Sequence, residues 1–219
     1  VEAHGPHLPV GTDVVIAEGM ARACAEELDG SGLTGLVLPP VCYTAAPFAG
    51  NFAGTIGVKA DIVTDLLIQI ATSLREQEIS TLAIANAHLD PAHLSSLRQA
   101  VKKAPEGTRI VFLDLSRRRV AALLSEEFQT GACHAGQFEG SIVRAERPDL
   151  FRTDVAAKLP PNPSSLSLAI QEGHQSFEDA GGPRAYFGWP AEATAEEGRA
   201  TLITLGRLLA EAILDGEIP

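Results

Sequence analysis

The sequence has few of the features that mark membrane, secreted or nucleic-acid-binding proteins. No continuous apolar run is long enough to span a bilayer, and no basic stretch precedes an apolar one at the N-terminus. Lysine and arginine number 17 against 28 acidic residues, which gives a net charge of −11. Because affinity for phosphate backbones depends largely on basic residues, we expect no nucleic-acid partner, and we expect no membrane association.

Cysteine is also scarce. Cys24, Cys42 and Cys133 are odd in number and widely spaced, which gives neither a disulfide framework nor the spacing of a zinc finger. A reducing cytoplasm is the simplest location for such a chain. The 219 residues, of which 45% are hydrophobic, are enough for one large domain with a sizeable core.

Apolar periodicity predicts alternating helices and strands. Helices are expected over 14–28, 60–76, 91–103, 117–128, 136–147 and after Thr194, where Glu197 completes a capping-box pattern; strands are expected over 35–39, 81–86 and 109–114. This alternation predicts an α/β fold with a mostly parallel sheet, whose functional site lies beyond the carboxyl ends of the strands.

The first group of chemically capable residues opens the chain. Glu2 and His4 project to the same side of an extended segment, and Asp13 returns a carboxylate just before a helix. Carboxylate and imidazole ligands suit Zn, Mn or Fe. Asp13 also fits an ordinary helix N-cap, and His7 fits a hydrogen-bonded loop histidine as well as a ligand.

The second group directly follows the strand expected over 81–86. His88 is well placed to face a cleft. Asp90 fits a metal ligand, but with Pro91 it equally forms an N-cap and first-turn pair that needs no metal. His93 lies about one turn into the next helix, where a solvated or core-edge position is expected.

The third group combines His134 and Glu139, which could supply a general base and a further carboxylate. Cys133 beside His134 suggests a cysteine nucleophile. Adjacent side chains rarely point in the direction that this chemistry needs, so a structural cysteine is expected instead.

Together these motifs resemble those of the creatininase family of metal-dependent amidohydrolases. Residues 2–13, EAHGPHLPVGTD, closely match the family's E-x-H-G-P-H-L-P-x-G-T-D signature. Residues 52–56, 86–88, 134–141 and 188–190 are similar to its F-P-G-T-I, N-G-H, H-A-G-x-x-E-T-S and G-D-P segments. The resemblance therefore extends over almost the whole chain.

The resemblance implies a three-layer α/β/α sandwich with a mostly parallel central sheet. It also implies two divalent metal ions per subunit, Zn, Mn or Fe, with Asp13 bridging them. Either Asp90 or Glu139 would complete the ligand set, and His134 would act as a general acid/base or hold the substrate. The implied ligands are Glu2, His4, Asp13 and His88.

The implied reaction is hydrolysis of a non-peptide C–N bond in a small amide, cyclic amide or formamide. The implied assembly is a homo-oligomer, often a hexamer. A hydrolase or lyase that acts on a cyclic ketone or lactone is one alternative. A homologue that binds metal or ligand without catalysis is another, because the turn after His88 departs from the family's H-G-G-N pattern.

Two further expectations concern the pocket and the start of the chain. The segments around residues 45–49 and 188–190 depart from the family pattern, so Tyr43, Phe48 and Trp189 could line a more apolar pocket. In the family a strand leads into the first motif. We therefore expect residues 1–219 to form one domain that lacks a short N-terminal segment.

Overall fold

The computed structural model describes residues 1–215, so residues 216–219 of the expected domain lie outside the description. Two short 3₁₀ helices, Pro148–Leu150 and Pro190–Glu192, accompany the α-helices and strands. None of the helices in the described residues is both long and apolar enough to cross a bilayer. The elements are α1 (Thr12–Gly30), α2 (Ala60–Glu76), β1 (Thr81–Ile84), α3 (Pro91–Lys102), β2 (Arg109–Phe112), α4 (Arg118–Ala121), α5 (Glu126–Thr130), α6 (Gln137–Glu146), α7 (Thr153–Ala156), α8 (Leu166–Gln171) and α9 (Ala195–Asp215).

The sheet is parallel and lies between two layers of helices. β1 and β2 pair in register from Thr81 with Arg109 to Ile84 with Phe112. Because side chains alternate along a strand, Ile110 and Phe112 face the core formed with α2 and α3. Val111, between them, faces the core formed with α1, α6 and α9. The expected α/β/α arrangement is therefore confirmed.

Helix α9 packs closely against both helices that lead to the site described below. A side chain at Gly206 would come within 2.5 Å of Ala23 in α1, and one at Gly198 within 2.0 Å of the Ser141 carbonyl oxygen in α6. Glycine is therefore required at both crossings. These contacts fix α1 and α6 relative to each other, and with them Asp13 and Glu139.

The prediction of a strand over 35–39 is wrong. This segment is extended but belongs to no strand, and Leu36 is 72% exposed. A cavity of about 660 Å³ separates the segment from β1, so the two backbones do not pair. Among the described residues, β1 pairs with β2 alone, and its other edge faces the same cavity.

The helix expected over 117–128 is broken into α4 and α5. The Ser125 hydroxyl accepts a hydrogen bond from the Phe128 amide and so starts a new helix. The capping box before α9 is only half formed: Thr194 accepts from the Glu197 amide, while the Glu197 carboxylate accepts from Gln137 and Ser141 in α6. The remaining expected elements are present, with ends that differ by a few residues.

Candidate metal centre

The three groups of residues singled out in the sequence come together at the carboxyl end of the sheet. Glu2 and His4 lie on the N-terminal segment, and Asp13 lies in the first turn of α1. His88 follows β1, and Glu139 lies in the first turn of α6. Sites in parallel α/β folds are commonly found at this edge, as expected.

One set of ligand atoms comes from His4, Asp13 and Glu139. His4 Nε2 lies 3.5 Å from Asp13 Oδ1 and 3.5 Å from Glu139 Oε2. Ligands bound at the usual distances to one tetrahedral zinc ion lie about 3.4 Å apart. The spacing therefore suits a shared cation.

A second set comes from Glu2, Asp13 and His88. His88 Nδ1 lies 3.0 Å from Glu2 Oε1 and 3.3 Å from Asp13 Oδ2. Asp13 therefore turns one carboxylate oxygen to each set. A carboxylate shared in this way is able to bridge two ions, as in two-metal hydrolytic sites.

Backbone carbonyl oxygens hold the far ring nitrogens of three histidines. His4 Nδ1 bonds to the Glu2 carbonyl at 3.1 Å, His88 Nε2 to the Ala45 carbonyl at 2.8 Å, and His134 Nε2 to the Ala3 carbonyl at 3.0 Å. Because a carbonyl can only accept, each of these nitrogens carries the hydrogen. The opposite nitrogen of each neutral ring then presents a lone pair toward the cluster, as metal-binding histidines do.

Unpaired polar atoms show that the residues fit a metal. His4 Nε2, His88 Nδ1 and Glu2 Oε2 are buried and have no hydrogen-bond partner among the described residues. Burying such atoms without a partner is costly. A divalent cation would supply the missing interaction, and the mixture of carboxylate and imidazole donors suits Zn, Mn or Fe.

The carboxylates and the imidazoles compete for protons when no cation is present. Burial disfavours a charged His4, but Asp13 and Glu139 outweigh it and raise the His4 pKa to about 10. The pKa of His88 is also raised, because the attraction of Glu2 and Asp13 outweighs its burial. Burial raises the pKa of Glu139. Burial and the charge of His4 lower the pKa of His134 to about 4, so its ring is neutral at pH 7.

Asp13 and Asp90 each fitted either a helix cap or a metal ligand in the sequence, and the structure gives them different surroundings. Asp13 does not cap α1, because Gly11 occupies the N-cap position and no side chain caps there. Asp90 caps α3, where its carboxylate accepts from the Ala92 amide at 2.8 Å and the Phe48 amide at 3.0 Å. A third group of clustered ligand atoms comes from Glu2, His4 and His134. Among the described residues, Asp90 belongs to none of the three groups, whereas Glu139 belongs to one.

Three other residues considered in the sequence, His7, His93 and Cys133, lie in packed surroundings that indicate a structural role. His93 is not solvated: it is buried, and its Nε2 bonds to Asn86 Oδ1 at 2.9 Å. His7 is buried edge-on against the Phe151 ring and lies outside the ligand sets. Burial and two nearby carboxylates raise the pKa of the Cys133 thiol to about 12, which agrees with a structural cysteine.

The aromatic surroundings of the site differ in part from expectation. Phe48 and Trp189 belong to one apolar cluster, while Tyr43 is 53% exposed. Phe177 lies in the same cluster, and its ring centroid is 4.2 Å from that of His134. No motif in the sequence marks Phe177, because only the tertiary fold brings it to His134.

Comparisons with known proteins agree with this geometry. The chain matches the creatininase family, described as creatinine amidohydrolase, over residues 1–213. A mycofactocin precursor peptide peptidase from Mycobacterium ulcerans (strain Agy99) is 30% identical over 220 residues, which cover 98% of this chain and 78% of that protein. One from Mycolicibacterium smegmatis is 27% identical over 200 residues, covering 90% and 74%.

Solved structures of creatininases share the fold. One named Creatininase Mn superposes with a TM-score of 0.73 at 20% identity, covering all of this chain and 88% of that one. A creatininase variant of Zn-Zn type gives a TM-score of 0.69 at 19% identity, with the same coverage.

The class that these findings define is that of the metal-dependent amidohydrolases. Within that class, the chain belongs to the creatininase family, which confirms the resemblance carried by residues 2–13.

Proposed function

We propose that the protein hydrolyses an amide C–N bond at a centre that holds two divalent metal ions per subunit, Zn, Mn or Fe. The observation that carries this proposal is the pair of ligand sets joined by Asp13, with buried ring nitrogens of His4 and His88 aimed into them. Bound ions would supply Lewis acidity, polarising a carbonyl oxygen and acidifying a water molecule.

The ligand assignment follows from the two sets. His4, Asp13 and Glu139 would hold one ion, and Glu2, Asp13 and His88 the other. Glu139 takes the role for which Asp90 was the alternative, since Glu139 lies among the clustered ligand atoms and Asp90 does not.

His134 is the proposed acid/base. Its Nδ1 lies 3.7 Å from Glu2 Oε1, and its other nitrogen is held by the Ala3 carbonyl. The ring is thus fixed with a lone pair at the edge of the ligand sets. There it can accept a proton and return it to a departing nitrogen.

Two classes of amide are candidates for the substrate. The motifs favour a small amide, cyclic amide or formamide, as in creatinine hydrolysis. The relatives named as precursor peptide peptidases favour a peptide bond, because one of them is 30% identical over 98% of this chain. Amide hydrolysis is common to both.

Metal analysis and product analysis test the proposal together. The purified protein should bind two equivalents of Mn or Zn, and Glu2→Ala and His88→Ala variants should each lose one or both. Asp114→Asn serves as a matched control, because Asp114 is buried but its partners Arg98 and Ser116 lie outside the ligand sets. Wild-type protein that binds no divalent metal would contradict the proposal.

The substrate classes separate by their products. A panel of cyclic amides and formamides should release amine or formate, whereas a panel of short peptides should release fragments that mass spectrometry identifies. Turnover of a cyclic ketone or lactone, with no amine, formate or peptide fragment released from the amide panels, would instead favour a hydrolase or lyase that acts on such rings. Metal binding without turnover of any panel member would favour a non-catalytic homologue.

The setting of the enzyme is also a proposal. The three unpaired cysteines support a cytoplasmic location. Membership of the creatininase family supports a homo-oligomer, with a hexamer as the specific expectation. Light scattering after size-exclusion chromatography would give the subunit number.

A further inference from the structure

Glu127, in the short helix α5, has a buried carboxylate that none of the motifs includes. The residue is 4% exposed. Its Oε1 accepts from the Gln137 amide at 2.7 Å and the Trp189 amide at 2.8 Å, and its Oε2 accepts from the Phe138 amide at 2.7 Å. A single carboxylate thus joins the start of α6 to the segment that carries Trp189.

This carboxylate supplies the cap that α6 lacks. The N-cap residue of α6 is Gly136, which has no side chain to accept from the first amides. The first amides of a helix need acceptors, and a negative charge is stabilised at this end of the helix dipole. Glu127 fills this role from another helix.

Two glycines of the sequence motifs make room for it. A Cβ at Gly136 would lie 2.3 Å from Glu127 Oε1, and one at Gly188 would lie 2.0 Å from the same atom. No real Cβ approaches an oxygen so closely. The glycines of the His134–Ala135–Gly136 turn and of the Gly188–Trp189 pair therefore both accommodate this carboxylate.

Helix α6, whose first amides Glu127 holds, carries one of the proposed metal ligands. Glu139 lies in the first turn of α6, and its Oε2 accepts from the Ala135 amide at 2.6 Å while facing His4. Ala135 has a φ of +52°, a left-handed conformation that costs a non-glycine residue about 1 kcal/mol. A turn under such strain depends on its surroundings to keep its shape.

We propose that Glu127 is a positioning residue for the metal centre, which it serves by capping α6 from outside and so fixing Glu139 and His134. This inference rests on the proposed metal centre. The carboxylate touches neither the ligand atoms nor the substrate region through its own hydrogen bonds, and its effect passes through the backbone of α6 and of the turn before it.

Metal affinity tests the inference separately from activity. Glu127→Gln keeps the size of the side chain, but its amide nitrogen cannot accept from a backbone amide. The affinity for Mn or Zn, measured by competition with a chromogenic chelator, should fall about 10- to 100-fold, the range for residues that orient metal ligands. The visible spectrum of the Co-substituted protein should change with it, because the Glu139 ligand moves.

Asp114→Asn is the matched control. It also removes charge from a buried carboxylate that accepts a backbone amide, but that carboxylate lies beside Arg98 and Ser116. It should lose stability without losing metal affinity. If Glu127→Gln does not fold, Glu127→Asp, which withdraws the carboxylate by one methylene, takes its place with the same expected result.

The outcomes separate the two proposals. Wild-type protein without metal would refute the metal centre and the role of Glu127 with it. Wild-type protein with metal, and a Glu127 variant with the same affinity and the same Co spectrum, would refute the role of Glu127 alone. Equal losses of affinity in the Glu127 and Asp114 variants would also refute it, since stability would then explain both.

Discussion

Replacing Glu139 and Asp90 one at a time tests which carboxylate completes the metal centre. Glu139 Oε2 lies 3.5 Å from His4 Nε2, within the spacing of ligands on one ion. Glu139→Gln keeps the shape of the side chain but removes its charge and most of its affinity for a cation. We expect one of the two ions to bind at least about 100-fold more weakly, because even residues that only orient ligands contribute about 10- to 100-fold.

Asp90→Ala should have the opposite profile. It removes the cap of α3, which costs about 1 kcal/mol. It also leaves the buried Phe48 amide without its acceptor, which costs about 1–3 kcal/mol more. For a chain of this size the sum lowers the Tm by roughly 5–15 °C. The affinity of the folded variant for metal should stay close to that of the wild type.

Two measurements on the same preparations decide the matter. Isothermal titration with Mn or Zn gives the number of ions and their affinities, and thermal unfolding in the presence of a chelator gives the stability of the metal-free protein. Two tightly bound ions in Glu139→Gln, or one lost ion in folded Asp90→Ala, would refute the assignment. The assignment would then return to Asp90.

Three further predictions concern protons and thiols. Metal binding should release protons and tighten as pH rises, by about tenfold per pH unit for each proton displaced, because the His4 pKa is about 10 without an ion; titration in buffers of different ionisation enthalpy measures the release. Burial opposes the charge of Asp114, but hydrogen bonds from Ser116 and Arg98 outweigh it and lower its pKa. Asp114→Asn should therefore cost about 2 kcal/mol at neutral pH. The difference in unfolding free energy between this variant and the wild type should shrink as the pH falls below about 3.9 and through the lowered pKa. Urea unfolding at neutral pH and at a pH below the lowered pKa would show this change. Cys133 should stay unmodified by iodoacetamide at pH 8 in the folded protein, because the pKa of its thiol is about 12; rapid labelling would contradict this.

The features that could be predicted from the sequence are those encoded locally. The ligands of the first motif lie within twelve residues, so their spacing alone brings Glu2, His4 and Asp13 to one place. The helix over 60–76 was predicted with its observed bounds, because its apolar residues keep a regular helical period. The choice between Asp90 and Glu139 stayed open, since it depends on where α6 lies against the N-terminal segment.

The failures have a common physical cause, which is dependence on a distant partner. Residues 35–39 have the apolar composition of a strand, but a strand also needs a neighbour, and the cavity beside β1 separates the two edges. Residues 117–128 have helical composition, but the Ser125 cap divides them. No sequence motif marks Glu127, because its three amide donors lie 10, 11 and 62 residues away.

The departures from the family pattern around residues 45–49 leave the proposed metal centre intact, because that segment serves it through its backbone. The Ala45 carbonyl holds His88 Nε2, and the Phe48 amide binds Asp90. Ala45 is buried, so a small side chain at this position leaves its carbonyl in place, and the sequence there can change without releasing the histidine. Ala45→Ser should accordingly keep wild-type metal affinity, whereas removal of the His88 ring should not. A large loss of affinity in Ala45→Ser would show that the side chains of this segment, and not its backbone alone, support the centre.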